Sequence, residues 1–132
     1  MVYVQRGRYS FSAAKRTDYN GAVYDSKLEA GYAQELDLRI RAKDLKSWER
    51  QVAFRFALVR EGDKWVLTDG EIAGKQNMRL WTYYLDFVEH NNDGTRTFTE
   101  VKGRETTMWR MKWRMLEALY GDDPEVNLLV VK

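Results

Sequence analysis

Asp86, Glu100 and Lys102 are the residues of this chain best placed to do chemistry. Asp86 lies in Leu85-Asp86-Phe87. Glu100 and Lys102 lie in Thr99-Glu100-Val101-Lys102-Gly103. Both stretches read as β-strand, and Glu89-His90-Asn91-Asn92-Asp93-Gly94 between them has turn chemistry. Paired as a hairpin, the strands bring Asp86 and Glu100 together at one end. Strand side chains alternate, so Glu100 and Lys102 share a face, roughly 7 Å apart. Two carboxylates and an ammonium in that arrangement can hold a divalent cation beside a phosphate and activate water. Mg²⁺ takes oxygen ligands, commonly one or two carboxylates, substrate phosphate and water. Asp86 and Glu100 are the expected ligands, with the Val101 carbonyl beside them. Lys102 would hold or deprotonate the attacking water, or stabilise charge on the phosphoryl group. The plain alternative is a cross-strand ion pair worth little energy.

Composition narrows the chemistry further. The chain of 132 residues has no cysteine and one histidine, His90, which falls in the turn. Disulfides, zinc ribbons, thiol catalysis and histidine-based metal sites are thereby excluded, leaving carboxylates and lysine. With 44% hydrophobic and 32% charged residues, the sequence reads as one folded domain. Neither a membrane span nor a signal-peptide core is visible, and the expected location is the cytoplasm.

Net charge is only +2, but its distribution is uneven. Residues 1–20 carry Arg6, Arg8, Lys15 and Arg16 against Asp18. Residues 102–114 carry Lys102, Arg104, Arg110, Lys112 and Arg114 against Glu105. Both are places where a polyanion could dock, with Lys27 a further candidate; scattered solvated charge is the alternative. Residues 1–23 read as an irregular arm with at most one short strand. Its Tyr3, Tyr9, Phe11 and Tyr19 suit stacking on nucleic acid, or else an unattached terminus.

The remaining elements must position the acids. Residues 26–43 have helical spacing, with Ala33, Leu36 and Ile40 on one stripe. Ser26-Lys27-Leu28-Glu29 fits a capping box, yet Glu29 lies on the apolar stripe. It either closes the box at a solvated end or is a third carboxylate aimed at the sheet. Val52, Phe54, Phe56 and Leu58 alternate through a half-buried strand over 49–60, followed by a short strand at Trp65-Val66-Leu67. Long strands are expected over 79–89 and 95–102. A second helix runs from Thr106 or Thr107 to Tyr120, with Trp109, Trp113, Leu116 and Tyr120 on one stripe. Met108, Met111, Met115 and Leu119 form its other apolar flank. Residues 126–131 are apolar without alternation, as in a strand buried on both faces. The order predicts an α+β domain, a mixed sheet with helices against it.

Tyr24-Asp25-Ser26-Lys27-Leu28-Glu29-Ala30, Glu49-Arg50-Gln51-Val52, Tyr84-Leu85-Asp86-Phe87 and Glu100-Val101-Lys102-Gly103 together resemble the PD-(D/E)xK nuclease superfamily. Within it the chain resembles small phage-type Holliday junction resolvase-like endonucleases, over about residues 20–131. That resemblance implies a restriction-endonuclease-like αβββαβ core, with Asp86 and Glu100 binding Mg²⁺ or Mn²⁺ and Lys102 as the catalytic lysine. Glu29 becomes the helix-borne acid, Ser26 and Gln51 its possible neighbours. Leu85 stands where the motif's name has proline. The implied activity is cleavage of four-way DNA junctions by a homodimer, leaving 5′-phosphate and 3′-hydroxyl ends in the cytoplasm of a phage's host. Dimer contacts could come from the methionine flank, Trp65 or Trp81, which equally suit the monomer core. Less selective cleavage of flaps, ends or duplex is the nearest alternative, and a non-catalytic nucleic-acid-binding module the next. No helix-turn-helix or zinc finger offers base readout, which favours selection by structure.

Overall fold

In a computed structural model the backbone of residues 2–5 and all of residues 17–132 are described. Their elements in chain order are β1 (Val2–Gln5), β2 (Thr17–Tyr19), β3 (Ala22–Tyr24), α1 (Lys27–Arg41), β4 (Ser47–Glu61), β5 (Lys64–Asp69), β6 (Asn77–His90), β7 (Arg96–Val101), α2 (Thr107–Tyr120) and β8 (Val126–Val131). Six strands form one mixed sheet in the order β1-β8-β7-β6-β4-β5. β8 is parallel to both neighbours, and the other pairings are antiparallel. The expected α+β architecture, consistent with a restriction-endonuclease-like core, is therefore present.

A helix packs on each face of the sheet. α2 sets Trp109, Trp113 and Leu116 against Phe54, Phe98, Leu128 and Val130. On the opposite face α1 sets Leu28, Ala33 and Leu36 against Phe87, Val101 and Val131. Successive residues of β8 thus enter different cores, which explains its apolar run without alternation. Trp81 and Met115 pack against the α2 core, while Met108 and Met111 are exposed. Arg60 lies over the half-buried Trp65 ring, 5.5 Å from its centroid.

The N-terminal stretch departs most from expectation. β1 is an edge strand of the main sheet, and β2 and β3 pair as a separate hairpin. Its turn is Asn20-Gly21, with φ of 49° and 80°, the left-handed pair that a two-residue hairpin loop requires. Asn-Gly is a hairpin signal, but the strands that flank it are only three residues long. Arg6, Arg8, Lys15 and Arg16 lie outside the described residues, as do Tyr9 and Phe11.

One buried polar cluster fixes α1 to the sheet. Glu89 is 1% exposed and accepts from the Tyr32 hydroxyl at 2.6 Å, Thr99 Oγ1 at 2.5 Å and Arg39 Nη1 at 3.2 Å. Asp37, one helical turn from Ala33, accepts from the Tyr19 hydroxyl at 2.5 Å and Trp48 Nε1 at 2.9 Å. These bonds join α1 to the hairpin and to β4.

Candidate active site

Pairing of β6 with β7 ends at Phe87 opposite Thr99, which makes Asp86 and Glu100 the next two residues as the strands part. Strands that part leave ladder N–H groups in need of acceptors. Here the acids supply them. Asp86 Oδ2 accepts from the Val101 N–H at 2.8 Å, and Glu100 Oε2 from the Asp86 N–H at 3.4 Å. Carboxylates in the gap thus replace backbone carbonyls, and each acid is fixed by the other's strand.

β6 also changes its facing here. Leu85 and Val88 both enter the α2 core although they are three residues apart, whereas Phe87 enters the α1 core. Strict alternation cannot produce that pattern. Across from Asp86, Gln51 of β4 has φ of 53°, left-handed for a residue with a side chain. Arg50 pairs with Phe87 and Val52 with Leu85, so the register is the same on both sides of Gln51. Both strands are therefore irregular at one level of the sheet, and that level carries the acid.

Glu29 reaches the site from the first turn of α1. Ser26 caps the helix, its Oγ accepting from the Glu29 N–H at 3.1 Å. The Glu29 carboxylate does not close the box. It is 4% exposed, meets the Gln51 side chain, and lies 3.7 Å from Arg50 Nη2 through Oε1, within ion-pair range. That oxygen is buried without a hydrogen-bond partner. Of the two readings of Glu29, the inward-facing acid is the one the geometry supports, and Gln51 touches it.

The three acids affect one another's ionisation. Burial, then the charges of Glu100 and Glu29, pushes Asp86 well above the ordinary carboxylate range, against the Val101 N–H and Lys102. Burial also drives Glu100 up to about 7, opposed by a Tyr83 hydrogen bond and Lys102. Glu29 is raised by burial and by Asp25, opposed by Arg50 and Gln51. Acids gathered where the charged form is disfavoured are a functional-site signature.

Lys102 follows β7, with its N–H donating to the Val131 carbonyl at 2.8 Å. Its ammonium lies 5.6 Å from the centre of the Trp109 ring. Trp109 Nε1 in turn donates to the Tyr83 hydroxyl at 3.2 Å, and Tyr83 bonds Glu100. Trp109 of α2 therefore touches both the amine and the support of the acid. Tyr83, Trp109 and Arg50 were not assigned site roles from the sequence. Tyr83 lies within the long strand expected over 79–89, Trp109 on the stripe of the second helix, and Arg50 within a motif.

Among the described residues, no group of three or more His, Cys, Asp or Glu side chains forms a ready metal cage. The donors nonetheless fit a hard cation that keeps most of its water. Asp86 and Glu100 are two adjacent carboxylates, and Glu29 has a buried unpaired oxygen nearby. Lys27, Arg104, Arg110 and Arg114 are all exposed.

Residues 8–131 match the family model described as "Protein of unknown function (DUF1064)". The chain belongs to that family. No curated protein and no solved structure matches it. For this DUF1064 protein, function must be argued from the site itself.

Proposed function

We propose that this DUF1064 protein is a Mg²⁺- or Mn²⁺-dependent DNA endonuclease of the PD-(D/E)xK type, selective for four-way junctions. The observation that carries this reading is the gap between β6 and β7. Asp86 and Glu100 cross-bond the parted strands there, with Glu29 and Lys102 alongside. A protein that merely bound phosphate would gain nothing from buried acids whose burial and mutual repulsion oppose ionisation.

Asp86 and Glu100 are the proposed ligands of the cation, completed by the Val101 carbonyl and Glu29. The cation would supply Lewis acidity toward the phosphoryl oxygen and a more acidic bound water. This chain's own groups do the rest. Lys102 orients the attacking water and offsets charge growing on the phosphorus oxygens, its position braced by the Trp109 ring. Tyr83 keeps Glu100 turned toward Asp86. Arg104, Arg110 and Arg114, exposed beyond Lys102, neutralise the flanking backbone without reading bases. Two symmetric cuts across a junction call for a two-fold dimer.

Labelled four-way junction and matching linear duplex, each incubated with protein in Mg²⁺ and in chelator, test the proposal. Metal-dependent cutting of the junction in preference to duplex is expected. Equal cutting of both would leave a less selective nuclease of the same fold, and no cutting of either would remove the enzyme.

A further inference from the structure

Arg50 lies 3.7 Å from Glu29 and has no part in the mechanism above. It stands on β4, which borders β6 on the side opposite β7. Asp86 therefore has Lys102 beyond one neighbouring strand and Arg50 on the other. The Arg50 guanidinium lies 4.0 Å from the centre of the Tyr24 ring, and Nη2 donates to the Val23 carbonyl at 3.2 Å. Ring and carbonyl both belong to β3, so the hairpin holds the group in place.

The contact with Glu29 is incomplete. Nη2 approaches Oε1 only to 3.7 Å, ion-pair range but too long for a hydrogen bond. Glu29 Oε1 at this contact and, on the same guanidinium, Arg50 Nε are buried and have no hydrogen-bond partner. A pair kept for stability would close, because unpaired buried polar atoms are costly. A planar fork held by a stack and a single carbonyl, with donors to spare beside a cluster of acids, is instead arranged to take an anion.

We propose that Arg50 binds a non-bridging phosphate oxygen of the nucleic-acid substrate, as the anchor on the β4 side of the site. The assignment rests on the nuclease reading above. It answers an electrostatic problem in that reading: a phosphodiester entering beside Glu29, Asp86 and Glu100 needs positive charge on both flanks, and Lys102 supplies only one. An ammonium would supply the charge but not the paired donors of the guanidinium.

Anisotropy of a labelled four-way junction, titrated with full-length protein in Ca²⁺ across a salt series, tests it. Arg50→Gln is expected to bind roughly tenfold more weakly at low salt, with a log–log salt slope shallower by about one. Arg50→Lys should retain the slope and lose roughly threefold in affinity, because the charge survives but the fork does not. A folded Gln variant with wild-type affinity and slope overturns the assignment. Should that variant fail to fold, a Lys variant binding as tightly as wild type does the same. Wild-type protein that binds the junction yet does not cut it in Mg²⁺ refutes the nuclease reading alone, leaving the Arg50 result to be read separately.

Discussion

Asp86 carries the sharpest expectations at the scale of a single residue. Asp86→Asn should abolish cleavage while preserving or tightening DNA binding, because it removes a negative charge that faces the phosphate. Gel-based cleavage and anisotropy on the same preparation check both halves, and unchanged cleavage would mean that the site lies elsewhere. Glu100 adds a pH dependence. Its folded-state value is raised to about 7 from an ordinary 4.5, so the folded protein holds this proton more tightly than the unfolded chain. Stability from this group is therefore full below about pH 4.5 and falls as pH rises through about 7, by on the order of 3 kcal/mol. Without divalent metal the protein should melt at a lower temperature at pH 8 than at pH 5.5, and added Mg²⁺ should recover most of the difference at pH 8. Thermal melts at both pH values, with and without Mg²⁺, read this directly; a flat profile would contradict the burial of Glu100.

Among the elements, α1 involves two acids of different kinds. Glu89, although on β6, is its structural anchor, saturated by Tyr32, Thr99 and Arg39. Glu29, at its first turn, is left with an unpaired oxygen. Glu89→Ala should cost roughly 3 kcal/mol, since it strands buried donors, yet the folded fraction should still cut. Glu29→Gln should do the reverse, changing the urea midpoint little or raising it while removing most activity. Urea titration beside a cleavage assay separates the two acids, and a swap of these outcomes would exchange their roles. Helix and strand boundaries were legible because periodicity and capping are local: Ser26 caps α1 as the sequence predicts, and Thr106, one of the two starts it allowed, caps α2. The β2–β3 hairpin was missed although Asn20-Gly21 announces it, since three-residue strands carry too little alternation to register.

For the whole molecule, the proposed junction chemistry makes stoichiometry the test. The chain of 15.6 kDa should sediment at twice that mass, and one bound dimer should cut both opposing strands of a junction. Sedimentation velocity and a cruciform plasmid assay measure these, and a monomer making single nicks would favour the less selective reading. Exposed Met108 and Met111 on α2 are apolar surface open to such a contact, whereas Trp81 and Met115 are already spent on the core. Among the described residues no helix is long and apolar enough to cross a membrane.

The sequence by itself determined the inventory and most of the order. With no cysteine and a lone histidine, chemistry had to fall to carboxylates and lysine, and alternation placed Asp86 and Glu100 on adjoining strands. Tertiary structure decided what those acids face. Whether Glu29 turns out to solvent or in toward the sheet depends on how α1 docks, which the Glu89 and Asp37 contacts set from distant strands. The left-handed Gln51, the parting of β6 from β7 and the Arg50 stack on Tyr24 all arise between segments far apart in the chain. Periodicity records how a segment buries its own side chains, and it is silent about which other segment will meet them.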